Sequence, residues 1–231
     1  MNLMRTNILK TRLGNIEVCM FITSSTIFRV FGSILYKIKM NMMELSNLDS
    51  VKFNSTACVH LVAEVMRRAF ADRVEYLGDP EFNLEMPLTP LTSKSFAKKR
   101  FDNIDPYKAS VSDSSKFGHP YDGNNTTHFS VVDKDGNAVS LTYTLEYYYG
   151  SRMGSNKHGF IFNNEMGDFN PVPGKTTSGG QVGTPPNVIA PEKRMLSSMC
   201  PTIVAKNGKP YLIIGSRGGR TIINTVFQTV T

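Results

Sequence analysis

The chain has 231 residues, 40% of them hydrophobic, with 18 Gly and 12 Pro; that is globular composition, enough for one sizeable domain or two small ones, and it excludes a disordered tail. A net charge of +7 raises a nucleic-acid or anionic-surface partner, yet no zinc-finger spacing, RNP-like run or basic heptad accompanies it, and the densest basic run, Lys98-Lys99-Arg100, reads as a solvated helix face. Cys19, Cys58 and Cys200 are too few and too scattered for a disulfide framework, and four histidines without ligand spacing predict no metal.

Residues 1–15 carry Arg5, Lys10 and Arg12, and an apolar stretch follows from Val18 to Tyr36. Arg29 in its middle would cost about 2.5–3.5 kcal/mol in a bilayer, so an ordinary or ill-defined segment is favoured over a membrane anchor or signal. Residues 54–73 predict a helix capped by Asn54 or Ser55, with Val59, Val62, Met66, Ala69 and Phe70 on one apolar face. Residues 75–93 hold three prolines and a glycine and predict a surface loop. Ser93 opens a short helix over 94–104, and the aperiodic polar run 105–125 reads as a mobile linker.

At Thr126 the character changes. Phe129, Val131 and Val132 mark a strand, Asp133–Gly136 a turn, and Val139, Leu141, Tyr143 and Leu145 a second strand. The run HGFIFNNE suggests another strand, residues 171–190 a loop, and SSMCPTIVAKNGKPYLIIGS a second hairpin turning at Asn207-Gly208. Ile222, Ile223, Val226, Phe227 and Val230 then recur at helical spacing. Hairpins followed by a helix make an α+β pattern.

Strand alternation places Thr126, His128 and Ser130 on one face, and Thr142, Thr144 and Glu146 on one face of the next strand. A register matching the apolar faces sets Thr126 beside Thr144. Two readings fit: a polar, solvent-facing side of a hairpin, or a cluster of hydroxyls and a carboxylate at the end of a sheet. Further polar motifs lie downstream. Glu165 and Asp168 stand three residues apart after a predicted strand, Ser197-Ser198 opens another, and GSRGGR joins an apolar strand to a helix. The glycine pair there leaves N–H groups free at a helix start, suited to an anion or a developing oxyanion.

Five runs in order, AFADRVEYLGDPEF, TTHFSVVDKDGNAVSLTYTL, GFIFNNEMGDF, PEKRMLSSMCPTIV and GSRGG, resemble the γ-glutamyltransferase (γ-glutamyltranspeptidase, glutathione hydrolase) family of N-terminal-nucleophile hydrolases. The resemblance spans residues 41–231. It implies an α+β fold, part of an αββα N-terminal-nucleophile hydrolase sandwich incomplete at both ends. It divides the chain into an unmatched head (1–40), the C-terminal part of a large-subunit-like region (41–125) and the N-terminal part of a small-subunit-like catalytic region (126–231).

By the same resemblance, autocleavage falls between Asn125 and Thr126, and Thr126 becomes the nucleophile that takes a γ-glutamyl group from glutathione and passes it to water, an amino acid or a peptide. Thr144 matches the threonine that hydrogen-bonds it, and Gly218 and Gly219 match the oxyanion-hole glycines. Glu146, Glu165 and Asp168 match the positions around the donor's α-ammonium, and Ser197 and Ser198 those binding its α-carboxylate. No cofactor and no nucleic acid is implied; the partners are γ-glutamyl donors and the two subunits of a processed precursor. The family is periplasmic, secreted or membrane-anchored. Its carboxylate-clamping arginine lies well upstream and matches no residue of this chain, so full activity is expected of a longer parent. Two other readings compete: a different N-terminal-nucleophile acylase, such as a cephalosporin acylase relative, and a non-enzymatic basic binding module. The Glu165/Asp168 and Ser197/Ser198 pairs, suited to an amino-acid head group, argue against the acylase.

Overall fold

The computed structural model describes residues 7–13, 16–22, 31–46, 51–111, 126–170, 172 and 184–231. Four strands, β1 (Asn7–Leu13), β2 (Ile16–Ile22), β5 (Thr202–Lys206) and β6 (Lys209–Ile214), form an antiparallel sheet in the order β1-β2-β5-β6. A separate hairpin pairs β3 (Thr126–Val132) with β4 (Ala138–Thr144). The β5–β6 turn is Asn207-Gly208, with φ of 54° and 75°; two left-handed residues in succession match the twist of the strands they join.

The helices are α1 (Phe31–Met43), α2 (Thr56–Tyr76), α3 (Leu88–Leu91), α4 (Lys94–Phe101) and α5 (Ile222–Val230). Ser55 caps α2 by accepting from the Cys58 N–H, and Ser93 caps α4 by accepting from the Phe96 N–H. The core gathers Leu35, Ile38, Met42, Val65, Ala69, Val226 and Phe227 from α1, α2 and α5. Helix α1 is buried nearly all round, its Lys39 and Asn41 included; these polar side chains find partners inside, Lys39 donating to Asn224 Oδ1 and Asn41 to the Thr92 carbonyl. Residues of the head therefore supply the edge strand β1, its neighbour β2 and most of a core helix. Among the described residues, no helix is long and apolar enough to cross a membrane.

Four expectations need correction. The proline-rich stretch 75–93 contains α3, whose Pro90 falls in the first turn, where its missing N–H breaks no helical bond. Val59 on α2 is exposed rather than part of the apolar face. HGFIFNNE is not a strand: Gly154 and Ile161 form an isolated bridge, and the Phe162 carbonyl accepts from the Ser151 N–H and hydroxyl. The start of the linker is tied down. The Ser110 N–H and hydroxyl both donate to Glu64, and the His60 ring meets the Asp105 carbonyl at 2.7 Å. Residues 112–125 of that linker, Asn125 included, and 171 and 173–183 of the later loop lie outside the described residues.

The β3–β4 hairpin also faces the way its polarity does not suggest. Its polar face lies on β6: the Ser130 hydroxyl donates to the Ile213 carbonyl (3.1 Å) and the Ser140 hydroxyl to that of Ile214 (3.0 Å). Phe129, Val131, Val139, Leu141 and Tyr143, on the apolar face, are exposed. Alternation reveals the two faces of a strand, but the partners decide which one turns inward.

Candidate active site

The hairpin register runs from Thr126↔Thr144 to Val132↔Ala138. Thr126 is the buried residue of its strand, at 8% exposure. The Thr144 hydroxyl accepts from the Glu146 N–H at 2.9 Å, turning the chain just past β4, and Glu146 takes a left-handed φ of 71°. Two residues along β3, the His128 ring fills the space above Gly215, where any side chain would collide with it. Its Nδ1 lies 2.9 Å from the Thr142 hydroxyl and its Nε2 3.1 Å from that of Ser130. Those contacts fix the polar face against the end of β6, one residue beyond which the glycine-rich turn begins.

Glu165 and Asp168 bound a single 3-10 turn. The Glu146 carboxylate lies over Gly167, accepts from its N–H, and leaves no room for a side chain there. Three carboxylates thus gather. Burial, then the charge of Asp168, pushes Glu146 up to about 7. Glu165 is raised too, by burial first, then by Asp168 and Glu146. Glu146 Oε2 and Glu165 Oε1 are both buried without a hydrogen-bond partner. Crowded acids of this kind are stabilised by a cation or a bound proton.

Ser197 and Ser198 are buried and held from two sides. On the approach to them, Arg194 docks on buried Asp79, donating from its backbone N–H (2.8 Å), Nε (2.8 Å) and Nη2 (2.5 Å). The Leu196 N–H donates to Asn187 Oδ1 at 3.0 Å, and Asn187 Nδ2 donates to the Asp168 carbonyl at 2.8 Å. Behind the pair, Arg73 Nη2 donates to the Ser198 hydroxyl at 2.9 Å.

Gly218 and Gly219 have φ of 122° and 53°; the first lies far outside the region open to side chains. The turn is closed by the Thr221 N–H and hydroxyl, which both donate to the Gly218 carbonyl (3.0 and 2.7 Å), and it leads through a 3-10 turn into α5. Arg220 lies close enough to Asp168 and Arg73 for their charges to act on one another.

Contacts therefore link most of the expected site residues into one set. Thr126 opposes Thr144, Thr144 holds Glu146, Glu146 meets Gly167 beside Asp168, and Asn187 ties Asp168 to the serine pair. Gly218 and Gly219 join through the neighbouring Arg220. Sequence reasoning missed Arg73, Asn187 and the Asp79–Arg194 pair. The conspicuous LGDP and PEKR runs were the available signal, but their partnership spans 115 residues of chain.

The fold is that of the N-terminal-nucleophile hydrolases. Cephalosporin acylase from Bacillus halodurans superposes with a TM-score of 0.68, covering 97% of this chain and 37% of its own, at 17% identity. The gamma-glutamyltranspeptidase family model matches residues 10–231, and the chain belongs to that family. The glutathione hydrolase proenzyme of Escherichia coli (strain K12) is 46% identical over 193 residues, covering 83% of this chain and 33% of the relative. That of Bacillus subtilis (strain 168) is 36% identical over 215 residues, covering 86% and 35%. The chain thus spans about a third of the length of these relatives. The family match takes in α1 and β2, beyond the reach of the five sequence runs.

Proposed function

We propose that this chain carries the nucleophile-bearing part of a γ-glutamyl-transferring and glutathione-hydrolysing enzyme, with residues 41–125 and 126–231 on the two sides of an autocatalytic cut. The observation that carries this reading is the placement of Thr126. It is buried at the start of a largely exposed strand, opposite a threonine whose hydroxyl accepts from the backbone N–H of Glu146, the first residue of an acidic wall.

In processing, the Thr126 hydroxyl attacks the Asn125 carbonyl carbon and the C–N bond breaks, leaving an ester and a free α-amine on Thr126. Water opens the ester, giving the Asn125 carboxylate and regenerating the hydroxyl. The new amine has an ordinary pKa of about 7.7–8.0 and in its neutral form accepts the proton of its own hydroxyl. The same oxygen then attacks the γ-carbonyl of the donor. The Gly218 and Gly219 N–H groups receive the negative charge that develops on the carbonyl oxygen. The leaving amine takes the proton, and water or an acceptor amine releases the γ-glutamyl group. Glu146, Glu165 and Asp168 hold the donor's α-ammonium; Ser197 and Ser198 donate to its α-carboxylate. A zwitterionic head group needs both an anionic and a donor-rich wall, and the Asn187 bridge keeps the two in register.

The test is the intact mass of the expressed chain beside Thr126→Ala. The expected result is two pieces split after Asn125 in the wild type and none in the variant. Cleavage at any other bond, or unchanged cleavage in Thr126→Ala, overturns the assignment of the nucleophile. Release of anilide from a γ-glutamyl anilide, measured on the same samples, tests turnover separately.

A further inference from the structure

Arg73 is 6% exposed, on α2, far in sequence from every expected site residue. Its Nη2 donates to the Ser198 hydroxyl, while its Nε is buried with no hydrogen-bond partner. No carboxylate among the described residues forms an ion pair with it; Asp168 acts on it from a greater distance. A guanidinium carries five donors. Burying this one against a single neutral hydroxyl is costly unless an anion completes its surroundings.

We infer that Arg73 is the positioning cation of the α-carboxylate subsite, acting on the donor through Ser198. A hydroxyl that accepts from a cation must turn its own hydrogen elsewhere, and it becomes a stronger donor by doing so. Ser198 is thereby set to donate to an anion, with the positive charge directly behind it. Burial lowers Arg73 only to about 10, so it stays charged at neutral pH. This chain thus brings its own positive charge to the carboxylate wall. The inference rests on the reading of Ser197 and Ser198 as that wall.

The test compares binding of L-glutamate and its α-amide, isoglutamine, to the full chain by calorimetry, for wild type, Arg73→Met, Arg73→Lys and Ser198→Ala. The wild type is expected to prefer L-glutamate by about 10-fold or more, the value of a hydrogen bond to a charged group. Arg73→Met should weaken L-glutamate by that factor, leave isoglutamine unchanged, and so erase the preference; Arg73→Lys should restore part of it. A merely structural role would weaken both ligands together, and that outcome overturns the inference, as does a preference that survives in Arg73→Met. Should Arg73→Met fail to fold by circular dichroism, Ser198→Ala decides: a full preference without the hydroxyl overturns the inference. A wild-type chain that binds neither ligand overturns the underlying reading of the serine pair, and the inference with it.

Discussion

The Asn187 side chain donates to the Asp168 carbonyl at 2.8 Å and, through its oxygen, accepts from the Leu196 N–H at 3.0 Å. One buried amide thus spaces the acidic turn from the serine pair. Asn187→Ala leaves the buried Leu196 N–H and the part-buried Asp168 carbonyl without these partners, and should lower stability by about 2–3 kcal/mol. Urea unfolding of both chains measures this. A loss under about 0.5 kcal/mol would show that the two walls are spaced by something else.

Glu146 makes the acidic wall sensitive to pH. Its folded pKa is raised to about 7 by burial and by Asp168, so the folded state holds a proton that the unfolded chain releases near the ordinary value of 4.5. The stabilisation is therefore complete below pH 4.5 and lost as pH rises through about 7. Glu146→Gln should match the wild type at pH 4 and exceed it at pH 8. Solvent screening at this partly open site limits the gap to about 1 kcal/mol. A gap of the opposite sign at pH 8 refutes the assignment. In binding, an α-ammonium ligand favours the ionised acids, so affinity should rise over the same interval.

What the sequence disclosed and what it hid divide by range. Ser55 and Ser93 caps, the Asn207-Gly208 turn and the Thr126–Thr144 register rest on neighbours or on strand period, and all stand as expected. The inward face of the β3–β4 hairpin did not follow from its pattern, because Ser130 and Ser140 find their acceptors on β6, more than seventy residues away. GFIF has strand composition, but a left-handed Gly159 and the Met153–Phe162 backbone contacts bend it into a tight loop. At the site, the motif residues were legible one by one. Arg73 and Asn187, which join them, carry no local signature: their roles come from Ser198 and from Asp168 and Leu196.

Burial pushes Asp79 up, but the hydrogen bonds from Arg194 and from the Glu81 N–H, with the Arg194 charge, together outweigh it and hold the carboxyl below its usual range. Its contribution is present above its ordinary value of 3.8 and lost as pH falls through the lower folded value. Asp79→Ala removes the hydrogen bonds that Arg194 makes to the buried carboxylate, leaves it its ion pair with Glu81, and frees the segment leading to the serines, at about 3 kcal/mol near neutral pH. Unfolding at pH 7 and at pH 3 should show the difference between the two chains shrinking in acid. A difference that stays constant would mean packing, not charge, is what the substitution removes.

The exposed face of the hairpin predicts poor solution behaviour. Phe129 is 47% and Leu141 38% exposed, opposite each other in the register. Phe129→Ser with Leu141→Ser should change stability by less than about 1 kcal/mol while lowering dye binding and aggregation. A large loss of stability would show that this face is packed in solution.

Lys39 tests the core that supports α5 and, with it, the glycine turn. Its ammonium is fully buried, donates to Asn224 Oδ1, and sits 4.8 Å from the Phe70 ring centre and 5.4 Å from that of Phe227. Burial outweighs the contrary pull of Cys200 and lowers it to about 7. Between pH 7 and 10.5 the unfolded chain therefore binds the extra proton, and stability rises with pH across that window. Below it, the folded state must carry the charge in an apolar setting. The ring contacts return only part of the desolvation cost. Lys39→Met keeps the volume, removes the charge, and leaves half-buried Asn224 within reach of water. It should be more stable than the wild type by about 1–4 kcal/mol at pH 6, with the gap closing towards pH 10. Urea midpoints across that range measure it, and a variant less stable than the wild type at pH 6 would show that the ammonium contributes more through its rings and Asn224 than its burial removes.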